Sequence, residues 1–258
     1  MTAFPLENKR ILVTRGKKQS SAMAEKIKAY GGIPVEVPLL TFDRVTHSEH
    51  EHILKSIKQF DWIVFTSVNG VKYFFEHLNL YGIPHESLLH LRIASIGAKT
   101  SEAVKSFGLK IDFEPGSYHA DTFGKEFLEK FHPDHILFVR GNLSRPTLPE
   151  YFKKQQVKYT PITVYQTIAN LESKDELQRQ LKSNLDVLTF TSPSSIDAFF
   201  ELGEDGVTEQ HLHTLCLCIG PTTRDRAIER GFVRILVPGE YTAAGMIHSL
   251  VQYFRKEG

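Results

Sequence analysis

Ile11-Leu12-Val13-Thr14-Arg15-Gly16 recurs 125 residues further on as Ile136-Leu137-Phe138-Val139-Arg140-Gly141. The same offset carries Asp61-Trp62-Ile63-Val64-Phe65-Thr66-Ser67 onto Asp186-Val187-Leu188-Thr189-Phe190-Thr191-Ser192. At an offset of 123, Ile96-Gly97, with Thr100 and Gly108 beyond it, returns as Ile219-Gly220 with Thr223 and Gly231. Pro115-Gly116-Ser117-Tyr118 then matches Pro238-Gly239-Glu240-Tyr241. Four landmarks in one order at near-constant spacing indicate an internal duplication. Two long copies, rather than several short ones, argue against a solenoid.

Each copy alternates two periodicities. Short apolar runs (Ile11 to Val13, Ile63 to Phe65, Ile93 to Ile96) end in Thr, Ser or Gly and read as buried parallel strands. Between them lie helical stripes. Ser20 or Ser21 is expected to cap a helix whose Ala24, Ile27 and Tyr30 share a face and which stops at Gly31-Gly32. Val71, Phe74, Phe75 and Leu78 form a second stripe, and Ile196, Phe199 and Phe200 its counterpart. Their Phe pairs read as core packing. Strand–helix alternation predicts an α/β, doubly wound parallel architecture. Two stretches break the rhythm: Ile33-Pro34-Val35-Glu36-Val37-Pro38 leading to Phe42, and Val157 through Pro161 to Ile168. Both are extended and punctuated by proline, which keeps such segments at edges or crossings. They are the candidates for strands joining two lobes.

Composition narrows the function. The 258 residues suit two modest domains. With 31 basic against 30 acidic residues, the net charge of +1 gives no global field for nucleic acid, so none is expected as a partner. Met1 to Arg10 has no apolar run of the signal-peptide kind, and no stretch approaches a membrane span. A cytoplasmic protein without membrane association is the expectation. Cys216 and Cys218, two apart on one strand, exclude a disulfide framework and are too few ligands for zinc. They read as small buried hydrophobes.

In open parallel sheets, ligands bind beyond the carboxyl ends of strands, where helix N-termini expose N–H donors. Six such ends carry small or polar residues: Thr14-Arg15, Thr66-Ser67, Ile96-Gly97, Val139-Arg140, Thr191-Ser192 and Ile219-Gly220. A ligand with several carboxylates would suit two such rims facing each other. Taken singly, Ser67, Thr100, Ser192, Ser194 and Thr223 read equally well as helix caps. Gly97-Ala98-Lys99 and Gly220-Pro221-Thr222 lack the glycines of a dinucleotide fingerprint or a P-loop, so no nucleotide is expected. No Gly-x-Ser-x-Gly elbow marks a nucleophile. His47, His50 and His52, among Glu49 and Glu51, read as a solvated helix face rather than a metal site.

Phe190-Thr191-Ser192-Pro193-Ser194, Ile219-Gly220-Pro221-Thr222-Thr223 and Thr163-Val164-Tyr165-Gln166-Thr167, with the Ile11 to Arg15 opening and Phe65-Thr66-Ser67, resemble the uroporphyrinogen-III synthase family. The resemblance covers nearly the whole chain. It implies two α/β lobes joined by a two-stranded ladder, the first from residues 1–38 and 168–258, the second from 42–164, with 35–42 and 159–168 as connecting strands. It also implies an enzyme, a cyclising hydro-lyase of porphyrin biosynthesis that takes hydroxymethylbilane, loses water, inverts the last pyrrole through a spiro intermediate and closes the ring without metal or organic cofactor. The family's tyrosine matches Tyr165, as the acid that helps hydroxide to leave. A phenol titrates near pH 10 in water, so at neutral pH it can donate. Thr223 matches a binding or orienting group, with Ser192 and Ser194 at the neighbouring turn. The expected substrate-binding set is Arg15, Thr66, Ser67, Gly97, Thr100, Arg140, Ser192, Ser194, Gly220, Thr222 and Thr223. Lys99, like the two arginines, sits where a carboxylate could be met. A monomer is expected, with transient contact to the upstream hydroxymethylbilane synthase. The competing reading is a non-catalytic two-lobe binder of a small polyanion.

Overall fold

A computed structural model describes residues 4–116 and 120–257; Ser117 and Tyr118 of the fourth repeat landmark lie outside the described residues. The first copy runs β1 (Arg10–Val13), α1 (Lys17–Ala29), β2 (Ile33–Glu36), β3 (Leu40–Arg44), α2 (Ser48–Lys55), β4 (Trp62–Phe65), α3 (Val68–Leu80), β5 (Arg92–Ser95), α4 (Ala98–Ser106) and α5 (Ala120–Lys130). The second runs β6 (Ile136–Gly141), α6 (Thr147–Lys154), β7 (Tyr159–Ala169), α7 (Lys174–Leu181), β8 (Val187–Phe190), α8 (Pro193–Gly203), α9 (Glu209–His213), β9 (Leu215–Cys218), α10 (Pro221–Glu229), β10 (Ile235–Leu236) and α11 (Ala243–Glu257). The chain forms two units: one holds the described residues up to Thr41 and from Ile168 onward, the other runs Phe42–Thr167.

Each unit is built on one five-stranded sheet. The first has the order β10-β9-β8-β1-β2, the second β3-β7-β6-β4-β5. Matched by the repeat offset, β1 corresponds to β6, β2 to β7, β4 to β8 and β5 to β9. The four matched strands therefore share one order, with β10 added beside β9 in one sheet and β3 beside β7 in the other, and each sheet combines the opening strands of one copy with the later strands of the other. In the first sheet β10–β9, β9–β8, β8–β1 and β1–β2 pair in parallel, as do β7–β6, β6–β4 and β4–β5 in the second. The exception is β3, which runs antiparallel to β7: Asn170 N–H donates to Leu39 O, whereas Val45 N–H donates to Val164 O.

Double winding follows from strand alternation. In β1, Ile11 and Val13 enter one apolar cluster with Met23, Ile27 and Met246, while Leu12 enters another with Phe190 and Phe199. In β4, Ile63 and Phe65 pack with Phe74 and Leu78, while Trp62 and Val64 pack with Phe123, Phe127 and Phe138. A strand whose two faces are both apolar needs helices on both sides of its sheet. Burying each such side chain contributes about 1.5–3 kcal/mol. The Phe pairs Phe74–Phe75 and Phe199–Phe200 lie on this helix–sheet packing, as their stripe implied; Phe200 is the half-buried member.

Three local expectations fail. α1 begins at Lys17, with Gly16 as N-cap, so Ser20 and Ser21 lie inside the helix; Ser20 donates instead to Glu36 Oε2 at 2.5 Å. The stop holds: Gly31 takes φ +86° just past the end. The stretch Val35 to Phe42 is not one strand, because the chain leaves β2 at Glu36 and enters β3 at Leu40 in the other sheet. Pro38 in the gap has no N–H for a ladder. Finally, His50 is not solvated. It is buried on α2, its ring 5.2 Å from His77 of α3, while His47 and His52 stay exposed.

Candidate functional site

Parallel pairing brings the strand ends of each unit to one edge of its sheet, and helices start there. In the second unit, Thr66 and Ser67 follow β4. Ser67 is the N-cap of α3, its hydroxyl accepting the Gly70 N–H at 3.0 Å. Gly97 caps α4 at φ +94°, where a β-carbon would be strained, and Thr100 is buried in the first turn with its N–H on Gly97 O. Arg140, near the end of β6, is half-buried and among the described residues donates to backbone oxygens, those of Gly141 at 3.3 Å and Ser144 at 3.4 Å. Tyr165 lies on β7, 9% exposed, with its hydroxyl 3.2 Å from Ser67 Oγ. Thus Ser67, a cap in its own right, also meets the phenol. That pairing gathers two expected site residues from positions 98 apart.

The aromatic surroundings of Tyr165 were not legible beforehand. Tyr73 of α3 stacks on it, centroids 5.6 Å apart at 19°, and Phe42 of β3 meets it edge-on at 5.8 Å. The Tyr73 hydroxyl donates to Phe42 O at 2.9 Å, tying α3 to β3. Burial, the leading cause, raises the Tyr73 phenol above its ordinary pKa. Phe42 is 47% exposed, an aromatic face open beside the phenol. Helical periodicity picks out Val71, Phe74 and Phe75 but says nothing of the flank on which Tyr73 lies.

In the first unit, the matching edge holds Arg15, Ser192, Ser194, Gly220, Thr222 and Thr223. Thr14 and Thr189 lock β1 to β8 beneath it: Thr14 Oγ1 donates to Thr189 O at 2.7 Å and Thr189 Oγ1 to Leu12 O at 2.8 Å. Ser192 caps α8 by accepting the Ser195 N–H, and its hydroxyl is 2.9 Å from that of Ser194. Gly220 precedes Pro221 at the first turn of α10; Thr222 is exposed and Thr223 buried. Arg15 is the unusual member. Its Nε is buried with no hydrogen-bond partner among the described residues, and desolvation lowers its pKa. A guanidinium N–H left unpaired in this way favours an anionic acceptor.

Cys216 and Cys218 lie on one face of β9 within an apolar cluster, their free thiols hydrogen-bonded at 3.6 Å; burial pushes the Cys216 thiol well up. Among the described residues, no three His, Cys, Asp or Glu side chains are placed together to hold a metal ion, and no helix is long and apolar enough to cross a membrane.

The family model described as "Uroporphyrinogen-III synthase HemD" matches residues 21–248. A uroporphyrinogen-III synthase of Chlorobaculum parvum is 30% identical over 243 residues, 90% of this chain and 94% of that protein. The porphyrin biosynthesis protein HemD of Ruminiclostridium josui is 27% identical over 96% of this chain, which spans only 49% of its length. Among solved structures, the uroporphyrinogen-III synthetase of Helicobacter pylori superposes with a TM-score of 0.64 at 15% identity, covering 95% of this chain and 99% of the other, a likeness of fold. A family match across most of the chain, together with a relative 30% identical along nearly its whole length, leads to one conclusion: the chain belongs to the uroporphyrinogen-III synthase family.

Proposed function

We propose that this chain is a uroporphyrinogen-III synthase, converting hydroxymethylbilane into uroporphyrinogen III with loss of water and inversion of the terminal pyrrole ring. The observation that carries the reading is the Tyr165 phenol, held beside Ser67 at a helix N-terminus in a chain of this family. Hydroxide leaves poorly. As electron density from the pyrrole nitrogen breaks the bond to the hydroxymethyl oxygen, Tyr165 donates its proton to that oxygen, and water departs. Such general-acid help contributes roughly 10²–10⁴-fold. The ring-closing steps that follow change no oxidation state, and the proton lost as the last pyrrole regains aromaticity restores the phenol. Helix-start N–H groups near Ser67, Gly97, Ser192 and Gly220, and the Arg15 guanidinium, serve as carboxylate receptors. Thr66, Thr100, Arg140, Ser194, Thr222 and Thr223 complete the proposed binding set. The protein acts as a cytoplasmic monomer on a small-molecule substrate, handed over in transient contact with hydroxymethylbilane synthase.

Isomer analysis tests this. Hydroxymethylbilane closes by itself without inversion, so rate alone is a poor readout. After incubation with purified, chelator-treated protein and oxidation of the product, the type III isomer should dominate. An isomer mixture identical to the protein-free control would sink the reading and leave a polyanion binder in its place.

A further inference from the structure

The phenol end of Tyr165 lies against a residue with no side chain. A Cβ built on Gly141 would stand 2.4 Å from Tyr165 Cζ and 2.7 and 2.8 Å from its two Cε atoms. Ordinary contact begins at 3.4 Å, so a methyl group there forces the ring or the strand to give by about 1 Å. Gly141 does not take a positive φ. Its backbone would accept any residue, and space alone demands glycine.

The close approach is built by a break in register. Along β6 and β7, Val139 pairs with Ile162 and Arg140 with Thr163, but Gly141 pairs with Tyr165, passing over Val164. A one-residue shift in register exchanges the faces on which side chains emerge. Here it turns Tyr165, in place of Val164, onto Gly141. Two hydrogen bonds hold the break: Gly141 N–H donates to Ser144 Oγ at 3.0 Å, and Asn142 N–H donates to Tyr165 O at 3.1 Å. The repeat supplies a contrast. Gly16, the counterpart of Gly141, has nothing within 4 Å of its built Cβ and takes φ −60°, ψ 151°. One glycine of the pair is packed under the phenol; the other is open.

We infer that Gly141 is a positioning residue for Tyr165: its missing side chain sets where the phenol hydroxyl is presented, and through it the rate of the chemical step. The inference rests on the proposed reaction, in which that hydroxyl delivers a proton. A donor works within about 2.6–3.2 Å of its acceptor, and a misplacement of about 1 Å can cost on the order of 10²-fold in rate. A glycine conserving packing alone would instead affect stability.

The test compares Gly141→Ala, Gly16→Ala and Tyr165→Phe in the full chain, with kcat and KM for type III isomer formation. The Tyr165 ring is followed separately by NMR of protein labelled with [¹³Cζ]tyrosine, its signal assigned by its loss in Tyr165→Phe. Gly141→Ala should lower kcat by about ten-fold or more, keep KM within about two-fold, and move the Tyr165 signal. In the Tyr165→Phe background it should cost less than about two-fold further, because no phenol proton remains to misplace. Gly16→Ala should match wild type. Should Gly141→Ala not fold, Ser144→Ala loosens the same break without adding bulk and should move the signal and lower kcat in the same direction. A wild type that makes no type III isomer overturns the proposed reaction. A wild type that does, with a Gly141→Ala (or, in its stead, Ser144→Ala) whose kcat and Tyr165 signal stay unchanged, overturns the positioning role alone, as does an equal loss of kcat in the Tyr165→Phe background.

Discussion

The Ser67 hydroxyl joins a helix start to the phenol: it accepts the Gly70 N–H at 3.0 Å and lies 3.2 Å from the Tyr165 hydroxyl. An N-cap oxygen is held in place by the helix it starts, so the phenol is tethered to a rigid element. In the resting protein the two hydroxyls can share a hydrogen bond, and a substrate oxygen arriving there competes for the phenol O–H. The cap and the proposed acid are thus one arrangement.

Tyr165→Phe should weaken catalysis without abolishing it. The substitution removes one proton donor and spares the ring's stacking with Tyr73. Loss of one acid raises the barrier by roughly 1.4–4 kcal/mol, or about ten- to several-hundred-fold in kcat. Single-turnover kinetics on protein shown folded by circular dichroism measures it; full turnover would make Tyr165 a packing residue.

Thr223→Ala should be milder. Thr223 is buried in the first turn of α10, where neighbouring N–H groups remain to receive a carboxylate. A lost hydrogen bond of ordinary strength, about 1 kcal/mol, raises KM by roughly five-fold and leaves kcat nearly as it was. A collapse of kcat to the level of Tyr165→Phe would assign Thr223 to the chemical step.

Thr189→Val tests stability apart from the site. It keeps the shape and deletes the buried bond to Leu12 O, the lower half of the Thr14–Thr189 lock. The expected loss is about 1–2 kcal/mol, read as a lower urea midpoint with an unchanged isomer ratio. A midpoint equal to wild type would mean that the lock contributes nothing net.

His50 should make the protein acid-sensitive. Desolvation, then the neighbouring His77 and His47, lower its pKa from 6.5 to about 4, against a small opposing pull from the Val45 carbonyl. Between those values the unfolded chain binds the proton and the folded one does not, so stability falls as pH drops from 6.5 towards 4 and is unaffected by this group above 6.5. Urea midpoints at pH 7.5 and 4.5 should differ less in His50→Gln than in wild type. Equal differences would show that the ring titrates normally.

The duplication, the alternation of strand and helix, and the rims of Ser, Thr and Gly at strand ends were all legible in the amino-acid sequence, because each is a local pattern. Two-sided apolar strands such as Trp62-Ile63-Val64-Phe65 demand helices on both faces, and a Ser or Gly after a strand marks where the next helix begins. Family resemblance then directed attention to Tyr165. What local pattern could not convey was any relation between residues far apart. Ser67 and Tyr165 are separated by 98 positions, and only the order β7-β6-β4 brings their strands close enough for the hydroxyls to meet. The burial of His50 depends on α3 closing over it, against which its polar neighbours gave the wrong hint. The same holds for the two glycines of the repeated Arg-Gly pair: identical in sequence, one is open and the other lies under a phenol ring, because a single break in register on β7 turned Tyr165 towards it. Periodicity reports the face a residue prefers; which partner waits on that face is decided by the packing of strands and helices in three dimensions.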